Sequence, residues 1–417
     1  MNASATLDLT GFRTRCFEVA WRLFFLLYPA AMLLGCYLYD DIERLMARDF
    51  LAFWSASYLA WIGDPAAAYD QVRILAVERF ALPGGEALYL WHYPPTFQLF
   101  VLPLSLLPYF AAFAVWVALT LAAYLIVIGR LAAHAYAPWL ALAFPAAFMN
   151  VFLGQNGFLS AALFGGALAL LKTQPALAGV LFGLLSYKPQ LGLLVPLALL
   201  CGRQWTAFCS ASVTTLVFAG ASVAVLGVEP WIAFFDNIPK VAPLLDNGWL
   251  PWVLMPSVYV GLRTIGLDAA HAYAIHIIVA AVVAGTVAWV WRGRAPLHLA
   301  GAVLAAGAVL MSPYLFHYDL ALLAVPIAIL AAEGIRQGRL VGENGILILA
   351  WLTPLATFLL AVATGIQVAP LCLLGLFFIA ARRACAARRL PIRHVAPVAS
   401  RDVATQASPA APGGRIA

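Results

Sequence analysis

Charged side chains are scarce in this sequence of 417 residues: 10% are Asp, Glu, Lys or Arg, whereas 64% are hydrophobic. Soluble domains carry about 25% charged residues, so a soluble core could not absorb this composition. Lysine is rarest, with Lys172, Lys188 and Lys240 in the whole chain. The shortage of charge excludes a soluble globular protein and predicts an all-α polytopic membrane protein.

Several chemical signatures are missing as well. The six cysteines show no paired spacing of the CxxC kind, which argues against a disulfide framework or a zinc site. The sequence contains no Walker loop, no HExxH, no Rossmann glycine fingerprint and no GxSxG. We therefore predict no cofactor and no metal, and we expect any energised substrate to come from the membrane itself.

The formal net charge of +6 does not indicate nucleic acid. The basic residues stand singly or in pairs at the ends of apolar runs, which is typical of the cytoplasmic anchors of membrane helices. We expect membrane lipids as partners, and we expect no binding of nucleic acid.

Apolar stretches of about 20 residues predict transmembrane helices. The first one begins after Arg13 and Arg15 and includes Arg22, and it is interpreted as an uncleaved helix in preference to a signal peptide. About twelve spans are predicted, at residues 17–39, 96–130, 137–153, 157–172, 175–187, 189–201, 205–227, 270–291, 297–313, 318–333, 344–363 and 366–381.

The second stretch, 96–130, would rise about 50 Å as one helix, too far for one upright span. Pro103 and Pro108 are expected to kink it, and a hairpin turning at Pro108 is the alternative. That hairpin would add a span and place the later basic residues outside. The positive-inside rule favours the single long helix, with both termini cytoplasmic.

This topology leaves two long outer loops, at about 40–95 and 228–269. Phe50, Phe53 and Trp54 are expected to lay short amphipathic helices of the first loop on the membrane surface. The expected location is the bacterial inner membrane, with the polar site on the periplasmic or extracellular face.

The chain divides into two parts. Residues 1–383 form the predicted transmembrane domain. Residues 384–417 are basic and then rich in Ala and Pro, which predicts a disordered cytoplasmic tail.

Polar residues are costly in a membrane and are therefore functional candidates. Asp49 opens a predicted helix, where a carboxylate is either a simple cap or a general base for an acceptor hydroxyl. Asp40 and Asp41, directly after the first predicted helix, are a weaker second choice.

Two more polar pairs map to the same face. His92 and Tyr93 precede two prolines that are typical of a helix start, and they could line a site with Asp49. Gln155 and Asn156 stand between two glycines. A tight turn explains the glycines, while the amides are suited to binding hydroxyl groups.

Lys188 separates the two short stretches 175–187 and 189–201. It either snorkels to the surface or pairs with an anion, either a lipid phosphate or Asp49. His317 and Asp319 join two later spans, and they either bind a phosphate or sugar or pair structurally with their neighbours.

These motifs together resemble glycosyltransferase family 87, of the GT-C class. Their order and spacing match along most of residues 45–335. The matching motifs are the run from Asp49 to Ser57, Gly63-Asp64-Pro65, Ala68-Tyr69-Asp70, Tyr93-Pro94-Pro95, Pro103-Leu104, Leu107-Pro108, Gly154-Gln155-Asn156-Gly157, Ala178-Gly179, Lys188-Pro189 and Ser312-Pro313-Tyr314. The family includes mycobacterial phosphatidylinositol-mannoside mannosyltransferases, which use polyprenyl-phosphate-mannose.

The resemblance implies a GT-C-type bundle that transfers a hexose, with mannose favoured, from a polyprenyl-phosphate sugar to a glycolipid or polysaccharide. Asp49 matches the essential acid of the first outer loop. His317 would represent a histidine from a later loop, and Lys188 would suit the carrier phosphate. GT-C enzymes often have paired acids, but Arg48 stands beside Asp49 here. A second carboxylate from Asp40, Asp41 or Glu43 is therefore left open.

The alternative function is a lipid-linked sugar flippase or another transporter without transferase activity. Transporters often show internal repeats and discontinuous helices near the bilayer centre. The sequence shows no convincing repeat, and its polar site maps to one face, so an enzyme is favoured.

Overall fold

A computed structural model describes residues 48–83 and 88–389. Every regular element in these ranges is helical, in agreement with the predicted all-α class. The α-helices are α1 (Arg48–Trp61), α2 (Gln71–Ala81), α3 (Pro95–Val101), α4 (Tyr109–Ala132), α5 (Ala137–Leu142), α6 (Pro145–Leu153), α7 (Gly157–Leu170), α8 (Pro175–Leu184), α9 (Pro189–Gly192), α10 (Leu194–Cys201), α11 (Trp205–Leu226), α12 (Glu229–Asp246), α13 (Val258–Thr264), α14 (Ala269–Arg292), α15 (Leu297–Ala308), α16 (Ala324–Gln337), α17 (Glu343–Thr364) and α18 (Ala369–Arg389).

Short 3₁₀ turns lie between several of these helices. They are Pro65–Tyr69, Leu102–Leu106, Leu185–Tyr187, Trp252–Leu254 and His317–Leu323.

Six helices of the described chain are long and apolar enough to cross a membrane. They are α4, α11, α14, the 3₁₀ turn His317–Leu323 with α16, α17 and α18. Five shorter apolar helical segments of 10–17 residues accompany them, one before α4 and four between α4 and the later long helices. The chain is therefore an all-α polytopic membrane protein, while the number of twelve spans stays a prediction.

Some predictions fall outside the described residues. They are the first span at 17–39, the carboxylates Asp40, Asp41 and Glu43, and the part of the tail after residue 389. Helix α18 continues to Arg389, beyond the predicted start of the tail at residue 384.

The prediction of one long helix at 96–130 is wrong, because the chain reverses at Pro108. Leu107 and Pro108 have extended backbone conformations. The rings of Phe97 and Trp116 lie 6.2 Å apart, although 19 residues of continuous helix would separate them by about 28 Å.

The segment Pro95–Leu106 does not add a span either. Its 12 residues would reach about 18 Å as a helix, well short of the bilayer. The positions of the later basic residues are therefore compatible with a reversal at Pro108, because a segment too short to cross the membrane does not change the side on which those residues lie. Helix α4 begins directly after this reversal, and its 24 residues are long enough to cross the membrane without the preceding segment.

Helix α1 is buried inside the protein, contrary to the expected surface location. Phe50, Phe53 and Trp54 are all buried, and Trp61 is the large exposed side chain at its end. Helix α1 packs against α2, α3 and the 3₁₀ turns Pro65–Tyr69 and Leu102–Leu106. The apolar residues of α1 therefore form a core beneath the first loop.

The two short helices around Lys188 are held by close packing of α8 on α11. A Cβ atom at Gly179 would lie 2.4 Å from the Ala207 carbonyl oxygen, and one at Gly183 would lie 2.6 Å from the Ala211 carbonyl oxygen. Glycines four residues apart let two membrane helices approach at backbone distance. This packing fixes the position of the turn that carries Lys188.

Candidate active site

Asp49 lies in the first turn of α1, with its side chain partly exposed. The Gln155 amide, between α6 and α7, donates a 2.9 Å hydrogen bond to Asp49 Oδ2. Burial raises the pKa of Asp49 to about 6, and the Gln155 hydrogen bond opposes this rise. Two residues predicted separately thus form one acid–amide pair, whose carboxylate can accept a proton near neutral pH.

The turn that carries Gln155 depends on Gly154, one of the two glycines for which the sequence predicts a tight turn. Gly154 has φ +71°, and a Cβ atom there would lie 2.6 Å from Phe50 Cβ. The indole of Trp116 donates to the Gly154 carbonyl at 3.0 Å. A side chain at Gly154 would strain the backbone and push α1 away, so the glycine brings Gln155 to Asp49.

Asn150 links this turn to the later turn 317–323 by hydrogen bonds. The sequence analysis did not predict this role. Its amide donates to the Tyr318 carbonyl at 2.9 Å, and its Oδ1 accepts from the Gly157 backbone N–H at 2.8 Å. A buried amide within the apolar helix α6 was the signal that could have identified it.

Lys188 is 2% exposed and forms a buried ion pair with Asp319. Its ammonium also donates to Asn156 Oδ1 at 2.8 Å and lies 4.7 Å from the centre of the Tyr318 ring. The expectations that Lys188 snorkels or pairs with Asp49 are therefore wrong. The side-chain oxygen of Asn156 accepts from this ammonium, while its side-chain nitrogen has no hydrogen-bond partner among the described residues.

His317 and Asp319 contact different neighbours. Asp319 accepts from the Phe316 backbone N–H at 3.2 Å in addition to its bond with Lys188. His317 is buried with its ring 5.7 Å from that of Phe358, and within the described chain neither ring nitrogen has a hydrogen-bond partner. Asp319 therefore belongs to the ion pair, while His317 lies beside it without a contact to Lys188.

His92 and Tyr93 reach the same end of the molecule. The Tyr93 ring centre lies 6.0 Å from the Lys188 ammonium. The His92 ring lies 6.3 Å from that of Tyr314, and the Asn237 amide nitrogen on α12 is 3.5 Å from His92 Nδ1. Burial lowers the pKa of His92 to about 4, so the ring is neutral at physiological pH.

Tyr314 and Tyr318 connect the two charged groups, because each interacts electrostatically with both Asp49 and Asp319. The site therefore contains an acid–amide pair and a neutralised, buried ion pair, with two phenol groups that are close enough to respond to both carboxylates. Across the described residues, no three His, Cys, Asp or Glu side chains gather as ligands of a metal ion would.

Comparison with known proteins identifies a family for most of this bundle. Residues 91–313, more than half of the chain, match glycosyltransferase family 87. No protein with a curated description matches the chain, and no solved structure does. The matched residues include His92, Tyr93, Gln155, Asn156 and Lys188, while Asp49, His317 and Asp319 lie outside them. On this match the chain belongs to glycosyltransferase family 87 and is a membrane glycosyltransferase.

Proposed function

We propose that this glycosyltransferase moves a hexose, with mannose favoured, from a polyprenyl-phosphate sugar to a glycolipid or polysaccharide acceptor with inversion of configuration. Asp49 takes the proton from the acceptor hydroxyl, whose oxygen attacks the anomeric carbon of the sugar. The bond between that carbon and the phosphate oxygen breaks, and the electron pair leaves with the lipid phosphate. No other reactant is needed, because the phosphate ester supplies the driving force.

One observation carries the assignment of the base: Asp49 is a partly exposed carboxylate whose pKa is raised by burial to about 6. A base with a pKa near the working pH is both deprotonated and a good proton acceptor. The other carboxylate of the site, Asp319, is buried and bound to Lys188. Asp49 is therefore the carboxylate of this site that is suited to act on a hydroxyl.

We place the reaction on the periplasmic or extracellular face of a bacterial inner membrane, with both termini cytoplasmic. The support is the distribution of charge. Arg130, Lys172 and Arg203 lie at helix ends opposite to Asp49, as the positive-inside rule requires of a cytoplasmic side.

The test is transfer from a radiolabelled polyprenyl-phosphate sugar in membranes that contain Asp49→Asn. Removing a general base typically costs about 10²–10⁴-fold in rate, and we expect a loss in that range. Asp64→Asn is the matched control, because it makes the same change in the same loop at a carboxylate that pairs with Arg73. Full activity of Asp49→Asn would refute the proposed base. Movement of a lipid-linked sugar across vesicles without transfer would favour the transporter instead.

A further inference from the structure

The donor phosphate needs a cation, and Lys188 is already neutralised. Its ammonium is buried, bound to Asp319 and to Asn156 Oδ1. A phosphate that approached Lys188 would meet the Asp319 carboxylate as well, and would have to compete with it for a desolvated cation. A phosphate at this end of the described chain would therefore bind a different cation.

Most of those cations are engaged or distant. Arg73 pairs with Asp64. Arg263 donates to the Tyr259 hydroxyl at 2.9 Å and to the Asp246 carbonyl at 3.0 Å. Arg79 lies two turns along α2 from Gln71, near the end of that helix.

Lys240 on α12 forms no ion pair with any described residue, although Asp236 lies one turn earlier on the same helix.

Lys240 lines a cleft between α12 and the first outer loop. The cleft encloses about 80 Å³, and its polar groups include Gln71, His92, Asn237 and Lys240. None of the described residues that line it is Asp or Glu. The cleft therefore combines one cation with neutral hydrogen-bond donors and contains no carboxylate. This composition suits an anion and does not suit a metal ion or another cation.

His92 can supply one of those donors. The amide nitrogen of Asn237 faces His92 Nδ1 at 3.5 Å. When the Asn237 amide is the donor in this contact, the neutral ring accepts on Nδ1 and its own N–H is the one on Nε2. His92 also connects the cleft to the reacting groups, since its ring lies 6.3 Å from that of Tyr314, which interacts electrostatically with Asp49.

The other wall of the cleft suits a hydrocarbon chain. Ile74, Val241 and Leu244 line it beside the polar groups. On the outside of α12, Ile232, Phe235 and Ile238 are exposed. A phosphate at Lys240 would thus have apolar surface next to it, both in the cleft and on the exposed face of α12.

We propose that the Lys240 cleft, formed by Gln71, His92, Asn237 and Lys240, binds the phosphate of the lipid-linked donor. This inference rests on the proposed function for the identity of the donor. Lys240 supplies the positive charge, His92 and Asn237 supply N–H donors, and the first isoprenyl units lie on the apolar wall. The Lys188–Asp319 pair then holds α7, α8 and the turn 317–323 together and does not contact the phosphate.

The experiment compares binding of farnesyl phosphate, farnesol and inorganic phosphate to the purified full-length protein. Lys240→Met should weaken the binding of farnesyl phosphate about tenfold, which corresponds to about 1.4 kcal/mol. The same substitution should leave the binding of farnesol unchanged. Lys240→Arg should retain most of the affinity. Lys172→Met is the matched control, since Lys172 is the other exposed lysine and lies at the opposite end. Asn237→Asp, which adds a negative charge to the cleft, should weaken farnesyl phosphate as well.

Turnover adds a second measurement. Lys240→Met should raise the KM for the lipid-linked donor about tenfold and leave the KM for the acceptor unchanged. Unchanged farnesyl phosphate binding, equal weakening of farnesol, or a rise in the acceptor KM alone would each overturn the proposal. If farnesyl phosphate binds through Lys240 but no sugar is transferred, the proposed function is refuted and the phosphate site at Lys240 is supported. If Lys240→Met transfers sugar normally, the phosphate site at Lys240 is refuted and the proposed function is supported.

Discussion

Gln155 tunes the proposed base through a single hydrogen bond. Its amide donates to Asp49 at 2.9 Å and lowers a pKa that burial raises to about 6. Without this donor the carboxylate is less stable relative to its protonated form, so the pKa of Asp49 rises. The base must be deprotonated to act, so transfer should increase with pH through this pKa.

We therefore expect Gln155→Leu to move the acid limb of the kcat/KM profile up by about one pH unit. Activity should fall most near pH 6 and approach that of the wild type above pH 8. The measurement is a pH series of transfer rates, with Gln174→Leu, at an exposed position of the opposite end, as control. A uniform loss of activity at every pH would contradict the tuning role.

The Lys188–Asp319 pair is expected to behave as a unit. Removing one partner leaves the other charge buried and unpaired, which typically costs about 3–5 kcal/mol. Lys188→Met and Asp319→Asn should each lower the thermal unfolding midpoint strongly. The double variant should lose clearly less than the sum of the two. Strictly additive losses, measured by thermal unfolding in detergent, would show that the two side chains do not interact.

Helix α7 begins at a glycine whose position leaves no room for a side chain. A Cβ atom at Gly157 would lie 2.1 Å from the Tyr318 carbonyl oxygen and 2.5 Å from Asn150 Oδ1. A methyl group there would push α7 from the turn 317–323, and with it Asn156 from Lys188. Tight overpacking of this kind costs typically about 1–3 kcal/mol.

Gly157→Ala is therefore expected to lower both the unfolding midpoint and the transfer rate. Gly220→Ala is the matched control, because Gly220 lies within α11 with open space around its Cβ position. That control should be neutral or slightly stabilising, since alanine favours helix by about 1 kcal/mol. Equal behaviour of the two variants would show that the contact at Gly157 is unimportant.

At the scale of the whole molecule, the two ends of the bundle differ in their balance of acidic and basic residues. The proposed site lies at one end, and Arg130, Lys172 and Arg203 lie at the other. We expect Asn247→Cys, in a cysteine-free background, to react with an impermeant maleimide in intact cells. Thr173→Cys should react only after permeabilisation. The reverse pattern would place the site in the cytoplasm and refute the proposed orientation.

The sequence by itself determined the membrane class, the family resemblance and most of the residues that meet at the site. Apolar length and the scarcity of charge are properties of the chain alone, because a bilayer accepts few charges wherever they fall. Helix starts such as Pro95 also followed from local rules, since proline lacks the backbone N–H that a first turn leaves unused.

Only the tertiary structure decided which of those residues contact one another. Lys188 pairs with Asp319, 131 residues later, and Asp49 with Gln155, 106 residues later. No local pattern fixes such partners, because they depend on how α1, α7, α8 and the turn 317–323 pack. The same holds for the reversal at Pro108, which the sequence offered only as the alternative to one long helix. Neither apolar length nor the charges at its ends distinguish a long helix from a short segment that returns.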